Sequence, residues 1–336
     1  LVGSEMCIRD RCSSEITARY KARLFQGDSL TDLTGGFGID CSFLATGFKS
    51  ATYVERQEEL CEIAAHNFPI LNLNHINVRN EDGVAYLQTM SPVDCIFLDP
   101  ARRNEHGGKT VSIADCEPNV AELEDLLLSK ASRIMIKLSP MLDLSLALKE
   151  LKHTQEVHIL SVNNECKELL ILLGQTSPAE ITIHCVNLFT KGTQEEQHFV
   201  FTREQEQRSQ CTYTDSLGDY LYEPNASLLK AGAFRSIAAA YPVRKLHPNS
   251  HLYTSDTFIE NFPGRIFRIV NQCSFNKKEV KENLADLKKA NVTVRNFPAT
   301  VAELRKRLHL TEGGDTYLFA STLNNGQKVI IRCEKV

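Results

Sequence analysis

Nowhere in the 336 residues do about 18 apolar residues follow one another, so no helix is expected to cross a bilayer. No signal peptide is visible either. The eleven cysteines stand singly, without one C-x-x-C pair, which argues for reduced thiols over a disulfide framework or a zinc site. No Cys/His cluster is read among the ten histidines, and no metal is expected. The Gly-Lys-Ser/Thr of a phosphate loop is also missing. What these absences leave is a cytoplasmic protein long enough for two or three domains. Residues 1–11 read as sequence foreign to the chain, like translated adaptor, and are set aside from fold reasoning.

What is present begins at Asp32-Leu-Thr-Gly-Gly-Phe-Gly-Ile-Asp40, a strand running into a glycine loop and then a helix. Glycines at 35, 36 and 38 let a backbone pass close to a ligand. The helix that follows offers unpaired N–H groups to an anionic group. Seventeen residues after Gly38, a second apolar strand ends in Tyr53-Val-Glu55. A carboxylate there is placed to accept both ribose hydroxyls of a nucleoside. The third glycine of a dinucleotide fingerprint is replaced by Cys41. A nucleotide-type cofactor without a pyrophosphate fits this loop.

The same alternation continues. Ile76-Asn-Val-Arg-Asn-Glu-Asp82 reads as a third strand presenting Asp82, followed by a helix over 84–90. Val93-Asp-Cys-Ile-Phe-Leu-Asp99-Pro100 is a buried-type strand breaking at Asp-Pro, and Ser132-Arg-Ile-Met-Ile-Lys137 is a fifth. Helices over 56–67 and 117–130 lie between, and strands over 156–162, 169–173, 181–188 and 198–201 complete the set. Strands and helices alternating with short links predict an α/β, doubly wound parallel sheet. The polar run Arg203-Glu-Gln-Glu-Gln-Arg-Ser-Gln210 breaks the periodicity. It separates a domain over 12–205 from a linker at 206–216, a small connecting ferredoxin-like module at 217–265 and a last domain at 266–336. Beyond it come a turn and short helix over 220–234, a strand at 264–270 and a charged amphipathic helix over 277–290. A strand at 292–296, a helix over 301–308 and a hairpin, 316–323 with 328–333 across Asn324-Asn325-Gly326, finish a small α+β region. Residues 217–336 carry ten Lys and eight Arg against four Asp and seven Glu, a net +7, and the remainder carries −11. A basic module fused to an acidic domain points to nucleic acid, although basic residues that only solvate helix faces give the same count.

Five signatures carry a family resemblance: Asp32-Leu-Thr-Gly-Gly-Phe-Gly38, Leu98-Asp-Pro-Ala-Arg-Arg103, Lys137-Leu-Ser-Pro-Met-Leu-Asp143, Tyr222-Glu-Pro-Asn-Ala226 and Arg295-Asn-Phe-Pro298. From residue 13 to the end the chain resembles a bacterial family of class I S-adenosylmethionine (SAM) methyltransferases with a THUMP-like C-terminal module. The resemblance implies a mostly parallel, seven-stranded methyltransferase sheet, SAM as cofactor, and RNA (tRNA or rRNA) as acceptor, because THUMP domains proper bind RNA. It implies that Asp32, Thr34, Gly35, Gly36, Gly38, Glu55 and Asp82 hold the cofactor, with Asp82 at the adenine amino group. Amino-methyltransferases set a polar residue and a Pro-Pro-aromatic turn beside the sulfonium. Asp99 and Pro100 keep the first half of that scheme and are the implied catalytic pair, while Ala101 and Arg102 replace the rest. Arg102, Arg103, Lys137 and Ser139 are then candidates for holding substrate. A guanidinium can stack on a base or pair with phosphate; equally, one of the arginines can brace the loop against a carboxylate.

Carbon methylation of a pyrimidine needs a cysteine nucleophile, but the fifth strand ends in Ser139, and the nearest thiol, Cys166, comes one strand later. Transfer to nitrogen or oxygen is therefore expected, with Asp99 orienting the acceptor or accepting its proton. Two other readings stay open: a protein or small-molecule acceptor with the basic module as a cap, and a non-catalytic SAM- or RNA-binding chain.

Overall fold

Apolar strands joined by amphipathic helices build the first of two units, Leu1–Glu196 and Gln197–Val336, in the computed structural model. The structure describes residues 13–102, 112–192 and 196–336. Residues 1–11 and Arg103 lie outside that description, as does the side chain of Arg102. The first unit runs α1 Glu15–Leu24, β1 Gly27–Asp32, α2 Ile39–Leu44, β2 Phe48–Glu55, α3 Glu58–Ile70, β3 Ile76–Asn80, α4 Gly83–Thr89 and β4 Val93–Leu98. A two-residue pair, β5 Ala101–Arg102 with β6 Cys116–Glu117, follows. Then come α5 Val120–Lys130, β7 Ala131–Leu138, α6 Leu144–Glu150, β8 Thr154–Val162, β9 Glu165–Gly174 and β10 Thr182–Leu188.

Within this unit the strands lie in the order β10-β8-β9-β7-β4-β1-β2-β3. β3, β2, β1, β4 and β7 run parallel, and β9 is antiparallel to both β7 and β8. This is the doubly wound α/β sheet expected, with β10, the strand read over 181–188, added parallel to β8 beyond the seven strands the resemblance implies. β4 reads as a continuous apolar run because a parallel strand in mid-sheet is covered on both faces. Phe97, Cys95, Leu30, Met135 and Leu170 meet in one buried cluster, where covering a ring like that of Phe97 contributes about 1.5–3 kcal/mol.

Two helix starts differ from the sequence reading. α5 begins at Val120, not 117, because Glu117 precedes a proline and stays extended. Asn119 then caps the helix, its side chain accepting from the Ala121 N–H at 3.3 Å. α3 begins at Glu58, since a Glu55 carboxylate oxygen accepts from the Gln57 N–H at 2.9 Å and holds the preceding turn open.

The strand β11 Glu196–Thr202 begins on the last residue of the first unit, and α7 Arg203–Arg208 follows in the second. The polar run at 203–210 is thus largely helical. Thr202 and Gln205 form a capping box at 3.1 and 2.9 Å, and no residue of this short helix is buried. β12 Tyr220–Pro224, α8 Ala226–Ala231, α9 Ser236–Ala240, β13 Arg244–Lys245, β14 Tyr253–Ser255 and β15 Gly264–Ser274 follow. The chain ends with α10 Lys277–Leu284, β16 Asn291–Val294, α11 Val301–Leu308, β17 Thr316–Thr322 and β18 Lys328–Lys335. They form a sheet in the order β13-β14-β12-β15-β18-β17-β16, over cores around Phe267, Phe319 and Ile331 and around Leu284, Leu318 and Ile330. The Asn-Gly turn between β17 and β18 places Gly326 at φ +86°, as a tight hairpin requires.

Two family signatures meet here. Glu223, 2% exposed, pairs with Arg265 and, at 3.0 Å, with Arg295. Six of the eight arginines in residues 217–336 are ion-paired in this way or with Asp256, Glu334, Glu312 and Asp286. Among the described residues no helix is long and apolar enough to cross a membrane, which says nothing of strands.

Candidate functional site

The loop after β1 is shaped by its own packing. Gly36 (φ +53°) and Gly38 (φ +74°) are left-handed, a conformation that favours glycine. A Cβ on Gly35 would stand 2.2 Å from the Tyr53 ring, and one on Gly38 would stand 2.9 Å from Phe68. At Gly36 a Cβ would meet only the Thr34 carbonyl, at 3.8 Å. Close approach by a ligand is therefore relevant at Gly36, whereas Gly35 and Gly38 make room for aromatic rings. Tyr53 is fully buried, and its hydroxyl donates to the Gly36 carbonyl.

Hydrogen bonds at Glu55, Asp82 and Asp99 tie the ends of three strands to neighbouring segments. One Glu55 oxygen accepts from the Gly36 N–H at 2.9 Å. Asp82 caps α4, accepting from the Val84 and Ala85 N–H groups at 3.0 Å each. The Asp99 N–H donates to the Thr34 hydroxyl at 2.6 Å. Thr34, Gly36, Glu55, Asp82 and Asp99 consequently line one cavity of about 680 Å³, a volume usual for small-ligand sites. The wall that sequence reasoning missed comes from Glu117, Pro118, Asn119 and Glu122, around the start of α5. Pro118-Asn119 before an apolar-periodic stretch is a helix-start signal that could have marked it.

Behind the loop lies a buried charge cluster. Asp32 (1% exposed) accepts from the Thr34 N–H at 2.9 Å. Asp99 meets the Lys137 ammonium at 2.6 Å, and Lys137 reaches Asp40 and the Ser13 hydroxyl, each at 3.0 Å. Lys21, wholly buried, bridges Asp40 at 3.0 Å and Glu168 at 2.5 Å. Burial, reinforced by Asp40 and Asp99, pushes the Asp32 carboxyl up to about 8. Burial also raises Asp99 against the pull of Lys137. Burial would raise Asp40 too, but the ammonium groups of Lys21 and Lys137 outweigh it and hold Asp40 below the ordinary range.

The expected substrate contacts are only partly brought to the cavity. Lys137 is 7% exposed and engaged by Asp99, Asp40 and Ser13, so its placement favours holding Asp99 over touching substrate. Ser139 sits after β7, its hydroxyl accepting from the Met141 N–H at 3.3 Å, and is not on the cavity wall. Pro100 is buried in the turn and Ala101 is on the wall. Only the backbone of Arg102 is placed, paired with Cys116.

The sequence reading of the histidines needs two additions. His247 and His251 stand four residues apart, but in a turn: His251 stacks on Phe234 at 3.6 Å and His247 bonds Asn296. Strand register also brings His158 beside His184, with Glu156, so that one ligand atom from each lies within 4.8 Å of the others. The two imidazoles are stacked at 4.3 Å and 6°, so their nitrogen lone pairs run side by side without converging.

No curated protein matches the chain. A family described as ferredoxin-like domain matches residues 220–263, and one described as THUMP domain-like matches 264–335. A crystal structure of a candidate methyltransferase from Porphyromonas gingivalis W83 is 37% identical, covers 98% of this chain and 82% of its own, and superposes with a TM-score of 0.89. A candidate methyltransferase from Streptococcus mutans in complex with SAH is 12% identical and covers 48% of this chain and 96% of its own, at a TM-score of 0.34. An rRNA methylase from Streptococcus thermophilus is 13% identical over 47% of this chain and 93% of its own, also at 0.34. These last two likenesses are too partial to bear on function. On the first, with its sheet order and both C-terminal domains, the chain belongs to the bacterial family of class I SAM-dependent methyltransferases that ends in a THUMP-like domain.

Proposed function

We propose that this protein transfers a methyl group from SAM to a nitrogen or oxygen of RNA in the cytoplasm. The observation that carries the cofactor half is the charge of the cavity wall. Among the described residues Glu55, Asp82, Asp99, Glu117 and Glu122 line it, against the single cationic lining residue Arg56, and Arg56 is paired with Glu117 at 3.2 Å. Such a wall repels a pyrophosphate and suits a cationic nucleoside. Each Glu55 oxygen already accepts one backbone N–H and keeps a second lone pair for a ribose hydroxyl. Asp82 stands at the next strand end, where it can accept from an adenine amino group. SAM supplies the electrophilic methyl carbon. Asp99, its proton affinity raised by burial, orients the acceptor's lone pair or takes its proton, and Lys137 fixes the carboxylate's position.

Calorimetry with SAM tests this. Glu55→Ala is expected to weaken binding about 10- to 100-fold, the 1.5–3 kcal/mol of hydrogen bonds to a charged group. Gly36→Val, which forces a β-branched residue into a left-handed position facing the cavity, is expected to abolish it. Unchanged affinity in both variants removes SAM from this site.

The RNA half is supported by the net +7 of residues 217–336 and by the THUMP-like match. Surface pairs such as Arg268–Glu334 are weak enough to re-partner with phosphate. RNA affinity should fall linearly on a logarithmic salt axis as counterions are released. The ion pairing of six of eight arginines favours a second reading, a protein or small-molecule acceptor. Absent or salt-insensitive RNA binding would select it.

A further inference from the structure

We propose that the buried carboxylate cluster behind the glycine loop gives up a proton when a cationic ligand enters the cavity, so that the site reads ligand charge and prefers SAM to its demethylated product. This deepens the SAM reading above and rests on it. The geometry is a continuous network. Asp32 is joined through Thr34 to Asp99, Asp99 to Lys137, Lys137 to Asp40, Asp40 to Lys21 and Lys21 to Glu168. Four carboxylates thus face two ammonium groups, and all but Asp99 are nine-tenths or more buried. Fully ionised, the network holds an excess of negative charge in a place that solvates it poorly, which is costly.

The member with the weakest support is Asp32. Lys21 and Lys137 both contact Asp40, and Lys137 contacts Asp99, whereas among the described residues Asp32 is held only by the N–H and hydroxyl of Thr34. The groups that act on it are Asp40 and Cys41 from α2, Asp99 from the end of β4, Tyr53 from β2 and Lys137 from β7. Of these only Lys137 is cationic. Asp32 is accordingly the carboxyl that holds the proton in the free protein, consistent with its value near 8.

Thr34, whose N–H and hydroxyl meet Asp32, lines the cavity while Asp32 itself does not, so a layer of the loop lies between them. A sulfonium placed beyond that layer favours the ionised form of Asp32, and the proton leaves to the buffer. S-adenosylhomocysteine (SAH) has the same skeleton without the sulfonium charge and gives no such drive. The sign follows from linkage. Below pH 8 the free site is protonated and must lose its proton to favour the cation, so SAM affinity relative to SAH rises with pH. It levels off once the free site is itself ionised. After transfer, the product loses the charge that favoured its retention, which aids its release.

The test is titration calorimetry of the full chain with SAM and with SAH at pH 7, in phosphate and in Tris, whose ionisation enthalpies differ. SAM binding is expected to release close to one proton and SAH binding close to none. The SAM-to-SAH affinity ratio should rise by about tenfold per pH unit up to about pH 8. Asp32→Asn, verified as folded by circular dichroism, should bind SAM with a heat independent of buffer. SAM binding without proton release, or equal release with SAH, overturns this inference and leaves the SAM reading standing. Proton release that persists in folded Asp32→Asn overturns the assignment to Asp32. Should that variant fail to fold, the wild-type buffer dependence and pH-dependent ratio still decide. No binding of SAM at all removes both this inference and the reading beneath it.

Discussion

Lys21→Met is expected to destabilise the protein by about 3–5 kcal/mol, the usual cost of removing one partner from a buried ion pair. The Lys21 side chain is fully buried, and its ammonium reaches Glu168 at 2.5 Å, the Ser13 hydroxyl at 2.8 Å and Asp40 at 3.0 Å. Methionine fills much of the same space but leaves Glu168 unpaired at 6% exposure. Adding Glu168→Gln should recover part of the loss, because Asp40 still keeps Lys137. The loss should also depend on pH. Asp40 is depressed by its two lysines, so the stability it lends is present above the unfolded carboxyl value and fades as pH falls through the folded one. Urea denaturation of the three proteins at pH 7 and at pH 4 checks this. A midpoint for Lys21→Met indistinguishable from wild type at pH 7 would show that the cluster does not depend on this lysine.

Gly35→Ala should do smaller but still marked damage through shape alone. The new methyl would lie 2.2 to 2.6 Å from three atoms of the Tyr53 ring. That ring is fully buried, anchored to the Gly36 carbonyl and packed edge-on against Phe68 at 5.5 Å. It has no free direction in which to turn, so the loop must move, breaking the bond from the Gly35 N–H to the Val54 carbonyl at 2.9 Å. Overpacking of this kind costs about 1–3 kcal/mol, occasionally more, and the displaced loop is expected to lose SAM binding. Gly36→Ala, one residue on, makes only an ordinary contact with the Thr34 carbonyl at 3.8 Å and should cost only the left-handed strain of about 1–2 kcal/mol. Tyr53→Leu combined with Gly35→Ala should restore part of the stability. A Gly35→Ala variant whose thermal stability is no better with Tyr53→Leu added would refute a packing origin for Gly35.

The contrast between these two variants marks what could be read in advance. The β1 loop, the Glu55 and Asp82 strand ends and the Asp99-Pro100 break are local patterns, each written in a few consecutive residues. They place five residues on one cavity wall. Glycine spacing alone could not say that Gly35 answers to Tyr53, because that contact depends on how β2 pairs with β1. Lys21 and Glu168 are 147 residues apart, and nothing in either neighbourhood signals the other. His158 and His184 meet only through the register of β8 and β10. The 203–210 segment misled for the opposite reason. Its helix is too polar to show an apolar stripe, and its capping box was the remaining sign.

The hydrogen bonds that hold Glu55 and Asp82 to backbone N–H groups have a thermodynamic corollary. These carboxylates are oriented when the chain folds, before any ligand arrives. A nucleoside entering the cavity therefore does not have to freeze two flexible acidic side chains, each of which would cost about 0.5–1.5 kcal/mol of association free energy. The wall acts as a rigid template whose selectivity comes from the fixed separation of its acceptors. Ligands with donors at other spacings lose affinity because the acceptors cannot follow them.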